Sequence, residues 1–230
     1  MVKVLIAEDN VPISVHLSNI INSTKEIQAI SIVNNGTEVY QTIKSLKPEI
    51  VILDLKLPGE DGIEILRKIE EDVELDTRVV IYSGEPTYIS KVRGFKSVEH
   101  FFNKIQLCEE IGLEIQRIAK EIKNEALTKK IYDVLLKMGF RAEHKGTQFI
   151  EECIEIATIE KQENLKRIYE KIANIEGKTP FTIKADIQLA VKKMWRYANK
   201  EKVRKFLRLG ECDEPSPKII VSMVRYYVEM

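Results

Sequence analysis

The chain has 230 residues, of which 44% are hydrophobic and 31% are charged, and its 36 basic residues balance 36 acidic ones. The apolar fraction excludes an intrinsically disordered chain, and the length favours one large or two ordinary domains. No apolar run approaches the roughly 20 residues of a membrane helix, and the first residues do not resemble a secretory signal, so we expect a cytoplasmic protein without a membrane partner.

The first half of the chain alternates short β-branched runs with amphipathic stretches. Strands are predicted at 3–7, 27–33, 49–55, 78–83 and 98–102, and helices at 11–23, 36–46, 60–71, 86–94 and 107–123. The runs around positions 52 and 80 are apolar almost throughout, which is typical of strands that are covered on both faces. Five strands alternating with five helices predict an α/β fold with a doubly wound, five-stranded parallel sheet.

The second half shows no strand pattern of comparable quality. Helices are predicted at about 125–138, 147–158, 162–175, 180–198, 200–208 and 216–229. No segment rich in Pro, Gly or Ser separates the two halves. We therefore predict a first domain at 1–123, a helical linker at 124–130 and an all-α domain at 131–230.

The balanced total charge conceals two halves of opposite sign. Residues 1–124 carry 15 basic and 20 acidic side chains, whereas residues 125–230 carry 21 basic and 16 acidic ones. Within 184–208, nine basic side chains stand against two acidic ones. This asymmetry indicates an acidic regulator joined to a polyanion-binding part, although a solvated helix face would also concentrate basic residues.

Polar side chains end or follow four of the predicted strands. Glu8 and Asp9 follow the first, Asp54 ends the third, Ser83 ends the fourth and Lys104 follows the fifth. Ligands of doubly wound sheets bind outside these carboxyl ends. Three carboxylates converging there would repel one another without a cation, and Mg²⁺ suits carboxylate and phosphate oxygens. Asp54 is therefore a candidate nucleophile for a phosphoryl group, with Lys104 neutralising its charge and Ser83 hydrogen-bonding one oxygen.

Each of these residues also has a structural interpretation when taken alone. The acidic pair could cap a helix, Asp54 could form a turn, and Lys104 could be an ordinary surface lysine. Five suitable residue types at strand ends favour the functional interpretation.

The motifs VLIAEDN at 4–10 and VILDLKLPGEDGIEIL at 51–66 resemble the receiver domain of two-component response regulators. The resemblance covers residues 1–123 and implies a flavodoxin-like fold. It implies that a histidine kinase or phosphotransfer protein phosphorylates Asp54. It further implies Mg²⁺ binding by Glu8, Asp9 and Asp54.

The same resemblance implies that Ser83 and Lys104 sense the phosphate, and it places Phe101 at the family's aromatic switch position. A buried strand aromatic is the alternative for Phe101. The family usually has Pro after the lysine, whereas this chain has Ile105, so we expect the local turn to differ. Ser83 replaces the commoner Thr and keeps the hydroxyl group.

Two predicted helices at 162–175 and 180–198 surround a Gly-containing turn, which is typical of a helix-turn-helix. Thr179 and Pro180 form a strong helix start. We expect Lys184 and Gln188 to reach base edges of DNA. The predicted phosphate contacts are Lys192, Lys193, Arg196, Lys200, Arg204 and Lys205. A solvated amphipathic helix of a bundle is the alternative.

The segments at 131–157 and 167–199 resemble the effector domain of the sporulation stage zero protein A family. The resemblance implies a DNA-binding domain, a recognition helix at 180–198 and dimerisation through the C-terminal helix. Packing of that helix, at 218–228, within its own domain remains the alternative. The arginines of the family's recognition helix are missing here, so we expect a different DNA target.

These observations together predict a response regulator that is phosphorylated on Asp54, forms a homodimer when phosphorylated, and controls transcription through DNA binding. The alternative is a receiver with a degenerate helical output that binds protein as a phosphate sink or scaffold. We expect no enzymatic output, because His16, His100 and His144 are scattered and no nucleophile or metal motif follows residue 124. The three cysteines are odd in number and share no redox or metal-ligand spacing, which also points to a reducing cytosol.

Overall fold

Five strands of the N-terminal half form one parallel sheet in the computed structural model, which describes residues 1–84 and 86–230. They are β1 (Val2–Ala7), β2 (Ile27–Val33), β3 (Ile50–Leu53), β4 (Arg78–Ser83) and β5 (Val98–Asn103). The strand order is β2-β1-β3-β4-β5. The chain moves outward from β1 to β2 and then returns to β3, so the order switches between β1 and β3 and leaves a crevice at their carboxyl ends.

Helices cover both faces of this sheet. They are α1 (Val11–Asn22), α2 (Gly36–Leu46), α3 (Gly62–Glu71), α4 (Ile89–Val92) and α5 (Cys108–Met138). Along β1, Val4 and Ile6 join the apolar cluster that contains Leu17 of α1, while Leu5 joins the cluster that contains Ile65 of α3. All four residues of β3 are buried, which explains the apolar run in the sequence. The predicted fold class is confirmed.

The fourth and fifth helices have bounds that differ from the predicted ones. The segment predicted at 86–94 contains a 3₁₀ turn at Pro86–Tyr88 and only four residues of α-helix, and Gly94 lies two residues beyond. The helices predicted at 107–123 and 125–138 form the single helix α5, which includes the predicted linker. Residues 113–138 contain no Gly or Pro, so nothing interrupts the helix before Gly139, which adopts a φ of 98°.

The chain divides into two compact units, Met1–Ile122 and Lys123–Met230. The second unit contains the last part of α5 and five further helices: α6 (Lys145–Ile159), α7 (Leu165–Glu176), α8 (Pro180–Tyr197), α9 (Lys200–Leu207) and α10 (Pro217–Glu229). Its core buries apolar side chains from all six, including Phe149 of α6 and Trp195 of α8. Among the residues that the structure describes, no helix has the length and apolarity needed to span a bilayer.

A tight turn joins α7 to α8. Gly177 ends α7 with a φ of 62°, and the N–H of Lys178 donates to the carbonyl of Ala173 at 2.9 Å. The Thr179 hydroxyl accepts a hydrogen bond from the N–H of Thr182 at 3.2 Å, and a proline opens the helix. These caps explain why the boundaries of α8 follow the predicted ones closely.

Gly62 provides a test of packing beside the crevice. A Cβ at this position would lie 2.7 Å from Cα of Leu55 and 2.9 Å from the carbonyl oxygen of Asp54, both of which are backbone atoms. We expect Gly62→Ala to destabilise the first unit by roughly 1–3 kcal/mol, as measured by urea unfolding followed by circular dichroism.

Gly94→Ala is the matched control, because its added Cβ would have no atom within 4 Å in the part of the chain that the structure describes, apart from its chain neighbours. Trp195 is the single tryptophan and lies in the second unit, so its fluorescence should report an unchanged transition in both variants. Equal urea midpoints for Gly62→Ala and Gly94→Ala would contradict the packing described.

Candidate functional site

A lysine joins two buried carboxylates at the carboxyl edge of the sheet. Glu8 directly follows β1, Asp54 directly follows β3, and Lys104 directly follows β5. Nζ of Lys104 lies 2.7 Å from Oδ2 of Asp54, and 2.9 and 2.8 Å from Oε1 and Oε2 of Glu8. The side chains that follow these three strands therefore contact one another, as the sequence predicted.

Burial controls the electrostatics of these ion pairs. Glu8 is 1% exposed and Asp54 is 3% exposed. Burial raises the pKa of Glu8 even though Lys104 and the N–H of Asn10 donate hydrogen bonds to it. Burial also acts to lower the pKa of Lys104, but hydrogen bonds to Asp54 and Glu8 together with their charges outweigh it, so this pKa is raised. The lysine therefore remains a cation between the two carboxylates.

The acidic residues of the crevice form a set that fits a divalent cation. Glu8, Asp9 and Asp54 each place one carboxylate oxygen within 4.8 Å of the others. Asp9 is exposed, so the set opens to solvent on one side. Oxygen-only ligands suit a hard cation such as Mg²⁺. Because one lysine neutralises only one of three carboxylates, a divalent cation would balance the remaining charge.

Ser83 contributes a hydroxyl group beside these charges. It is the last residue of β4, and its carbonyl accepts a hydrogen bond from the N–H of Lys104 at 3.1 Å. Its Oγ is buried and has no hydrogen-bond partner among the described residues. Among the described residues beyond its chain neighbours, no atom lies within 4 Å of a Cβ added at the adjacent Gly84. An unpaired buried hydroxyl is costly, so a ligand oxygen would satisfy a group that the protein leaves open.

The segment between β3 and α3 holds Asp54 in place. Gly59 adopts a φ of 85°, a conformation that favours glycine. The Asp61 carboxylate caps α3 by accepting the N–H of Ile63 at 2.7 Å. Gly62 lies so close to the backbone of Asp54 that an added Cβ would force that backbone to shift. The glycines and the aspartate of the LPGEDG motif thus have identifiable structural roles.

Asn103 shapes the turn after Lys104, at the position where Ile105 stands. The carboxamide of Asn103 accepts the N–H of Ile105 at 3.0 Å, while the carbonyl of Asn103 accepts the N–H of Gln106 at 2.8 Å. Ile105 itself is 90% exposed. Phe101 is half-buried and packs against the apolar cluster that includes Ile81. Its role as a switch remains a prediction.

Tyr82 is a residue of this site that sequence reasoning missed. Lys104 Nζ lies 5.8 Å from the centre of its ring, and its hydroxyl lies 3.6 Å from Sγ of Cys108. Burial and the contact with Cys108 raise the pKa of Tyr82. In the sequence it is one apolar strand residue among several, and only its position immediately before Ser83 could have indicated the site.

The predicted DNA-contacting residues lie on the outside of the second unit. Seven of them are exposed on α8 and α9: Lys184, Gln188, Lys192, Lys193, Arg196, Lys200 and Lys205. Arg204 is less exposed than these seven: it is half-buried, and its guanidinium lies 5.2 Å from the ring centre of Trp195. The opposite side of α8 is buried in the core. Phe181 and Leu189 were not predicted as contacts, yet they are 80% and 53% exposed on the same helix.

The apolar residues of α10 pack within their own unit. Ile220 and Val224 are fully buried in its core. Tyr226 and Tyr227 remain 50% and 47% exposed. Intradomain packing therefore accounts for much of the apolar pattern that also suggested a dimer interface.

Comparisons with known proteins assign a family to each half. Residues 4–107 match the response regulator receiver domain, and residues 131–224 match the sporulation initiation factor Spo0A C terminal. The sporulation initiation phosphotransferase F of Bacillus subtilis is 30% identical over 109 residues, which are 46% of this chain and 86% of that protein.

Two further matches concern the receiver family more broadly. A protein-glutamate methylesterase/protein-glutamine glutaminase of Syntrophus aciditrophicus is 31% identical over 99 residues, or 43% of this chain, which spans only 28% of that relative. A crystal structure of a DNA-binding response regulator of the LuxR family from Staphylococcus aureus matches with a TM-score of 0.48 and 25% identity. That match covers 52% of this chain and 99% of the other.

The raised pKa of Glu8 gives a testable pH dependence. A carboxyl group with a raised pKa stabilises the fold below its ordinary pKa of 4.5, and this contribution is lost as the pH rises through the folded value. In the absence of divalent cations, we expect the Tm of the wild-type protein to fall relative to that of Glu8→Gln as the pH rises above 4.5.

Gly94→Ala is the control for this measurement: it changes no titratable group, so the difference between its Tm and that of the wild type should stay constant across the same pH range. A constant Tm difference between wild type and Glu8→Gln would show that burial does not raise the pKa of Glu8.

Proposed function

The chain belongs to the response regulator family, with a receiver domain followed by a Spo0A-type C-terminal domain, and we propose that phosphorylation of Asp54 controls DNA binding by the second unit. One observation carries the first part of this proposal. Lys104 bridges Asp54 and Glu8 in a buried crevice, beside a Ser83 hydroxyl that lacks a partner among the described residues. The donor is a histidine kinase or a phosphotransfer protein.

The chemistry is a transfer of a phosphoryl group to a carboxylate. Oδ of Asp54 attacks phosphorus in line, the bond to the donor's imidazole nitrogen breaks, and that nitrogen retains the electron pair. Glu8, Asp9 and Asp54 would hold Mg²⁺, which neutralises charge on the phosphoryl oxygens. Lys104 pairs with a phosphoryl oxygen in place of the Asp54 carboxylate, and the Ser83 hydroxyl donates to another.

The two phosphate-sensing residues link the site to one edge of the sheet. Ser83 ends β4, Lys104 follows β5, and the N–H of Lys104 is bonded to the carbonyl of Ser83. A phosphoryl group that draws both side chains inward therefore changes the β4–β5 edge, where Phe101 lies half-buried. Such a change favours a state that dimerises and binds DNA more tightly.

The helix pair α7 and α8 supports DNA as the output partner. The turn at Gly177 and the exposed basic side of α8 fit a helix-turn-helix whose second helix enters the major groove. Lys184 and Gln188, near the start of α8, contact base edges, while the basic residues further along α8 and α9 contact phosphates.

A second candidate function is a phosphate sink or scaffold that binds protein through its helical unit. The first half of α8 lacks arginine, which supplies the commonest specific contact to guanine. The nine basic residues within 184–208 favour DNA over this alternative. We propose a binding output and not an enzymatic one; the methylesterase activity named for a relative belongs to that protein, of which this chain spans 28%.

The phosphoacceptor assignment can be tested by labelling with acetyl phosphate and Mg²⁺. Asp54→Asn should abolish the labelling, because an amide cannot form the acyl phosphate. Asp61→Asn is a matched control: it removes a carboxylate from the same segment, yet asparagine retains the helix cap. Full labelling of Asp54→Asn would refute the assignment.

The DNA interface can be tested by the salt dependence of binding to a random duplex. The triple variant Lys192/Lys193/Arg196→Ala should bind more weakly, with a slope of log K against log salt that is shallower by up to about 0.9 for each lost phosphate contact. Lys218→Ala, which removes an exposed charge from α10, should retain the wild-type slope.

The same titration separates the two candidate functions. A regulator that binds DNA should show a steep slope in the wild type and a reduced slope in the triple variant. A wild-type protein that does not bind duplex DNA at low salt would favour the sink or scaffold.

A further inference from the structure

A basic cavity of about 300 Å³ lies in the second unit, between the segment 139–144 and helix α8. We propose that this cavity binds a backbone phosphate of DNA, and that Arg141 holds this phosphate from outside the recognition helix. The proposal rests on DNA binding by the second unit and adds a contact that the α8 pattern does not predict.

The charged side chains that line the cavity are positive. Arg141, Lys193 and Arg196 contribute three permanent cations and His144 contributes an imidazole, and the described lining residues include no carboxylate. Like charges gathered on a concave surface repel one another and raise the local positive potential. An anion in the cavity would relieve that repulsion, which makes a phosphate oxygen the fitting ligand.

An aromatic ring brings two of the guanidinium groups together. The Arg141 guanidinium lies 6.0 Å from the ring centre of Tyr197, and the Arg196 guanidinium lies 5.7 Å from the same centre. A cation within about 6 Å of a ring centre is attracted to the ring, so Tyr197 favours positions of both groups beside the cavity. Guanidinium forks bind phosphate oxygens in a bidentate manner, which a lysine cannot do.

The location of the cavity favours DNA over a free phosphate compound. Arg196 belongs both to the cavity and to the exposed stripe that also contains Lys184, Gln188 and Lys192. A duplex lying along this stripe would therefore bring its backbone to the cavity. Arg141 is itself exposed, so it can reach a ligand, and truncating it should cost little folding stability.

The expected effect is a loss of affinity that is independent of DNA sequence. Phosphate contacts fix register and supply binding energy, whereas base contacts supply specificity. Arg141→Ala should weaken binding to every duplex by roughly tenfold at low salt and make the slope of log K against log salt shallower by about 0.9. The affinity ratio between a preferred and a random duplex should not change.

The experiment uses the full chain in fluorescence anisotropy titrations on labelled duplexes over a series of salt concentrations. Arg141→Ala is compared with Arg141→Lys, which keeps the charge and should keep the slope, and with Lys218→Ala, which lies outside the cavity. Circular dichroism confirms that each variant is folded. Competition by inorganic phosphate and by a nucleotide at constant ionic strength tests the other sources of a phosphate group.

The outcomes separate this inference from the proposed function. A wild-type slope for Arg141→Ala, with the wild-type protein binding DNA, would overturn the inference and leave the proposed function standing. Nucleotide binding that depends on Arg141 while DNA binding does not would assign the cavity to a small ligand and equally overturn it. A wild-type protein that binds no duplex would remove both.

Discussion

One ammonium group shared by two buried carboxylates is the constraint around which the first unit is built. Lys104 reaches Asp54 and Glu8 at hydrogen-bond distance, and both carboxylates are almost fully shielded from water. Charges so deeply buried need close partners, and a single lysine cannot fully neutralise the acidic set. The parallel sheet supplies the three strand ends, and the glycine-rich segment after β3 fixes the backbone of Asp54.

Two features of this arrangement would respond to a ligand: the excess negative charge of the carboxylates and the buried hydroxyl of Ser83. The remaining negative charge favours a divalent cation, and the Ser83 hydroxyl lacks a partner among the described residues. A phosphoryl group on Asp54 would accept a hydrogen bond from the Ser83 hydroxyl and would give Lys104 a new anionic partner. Since both residues adjoin the paired strands β4 and β5, a change in their partners acts on secondary structure directly.

Much of the first unit follows from the amino-acid sequence, and the reason is geometric. Parallel strands end at one edge, so suitable residue types at strand ends predict a site even without contacts. What periodicity cannot supply is the detail of three-dimensional contacts: the double pairing of Lys104, the ring of Tyr82 beside it, and the shortness of α4. In the second unit, the caps at Thr179 and Gly177 made the limits of α8 predictable. The approach of Arg141 and Arg196 to one tyrosine was not, because Arg141 lies in the segment 139–144 and Arg196 lies far along the chain on α8.

Coupling between phosphorylation of Asp54 and DNA binding can be tested with an analogue of the phosphoryl group. The affinity of the full chain for a labelled duplex is measured with Mg²⁺, before and after beryllium fluoride is added. We expect tighter DNA binding with beryllium fluoride in the wild type and no change in Asp54→Asn. Equal affinities with and without the analogue in the wild type, once spectroscopy shows the site to be occupied, would contradict it.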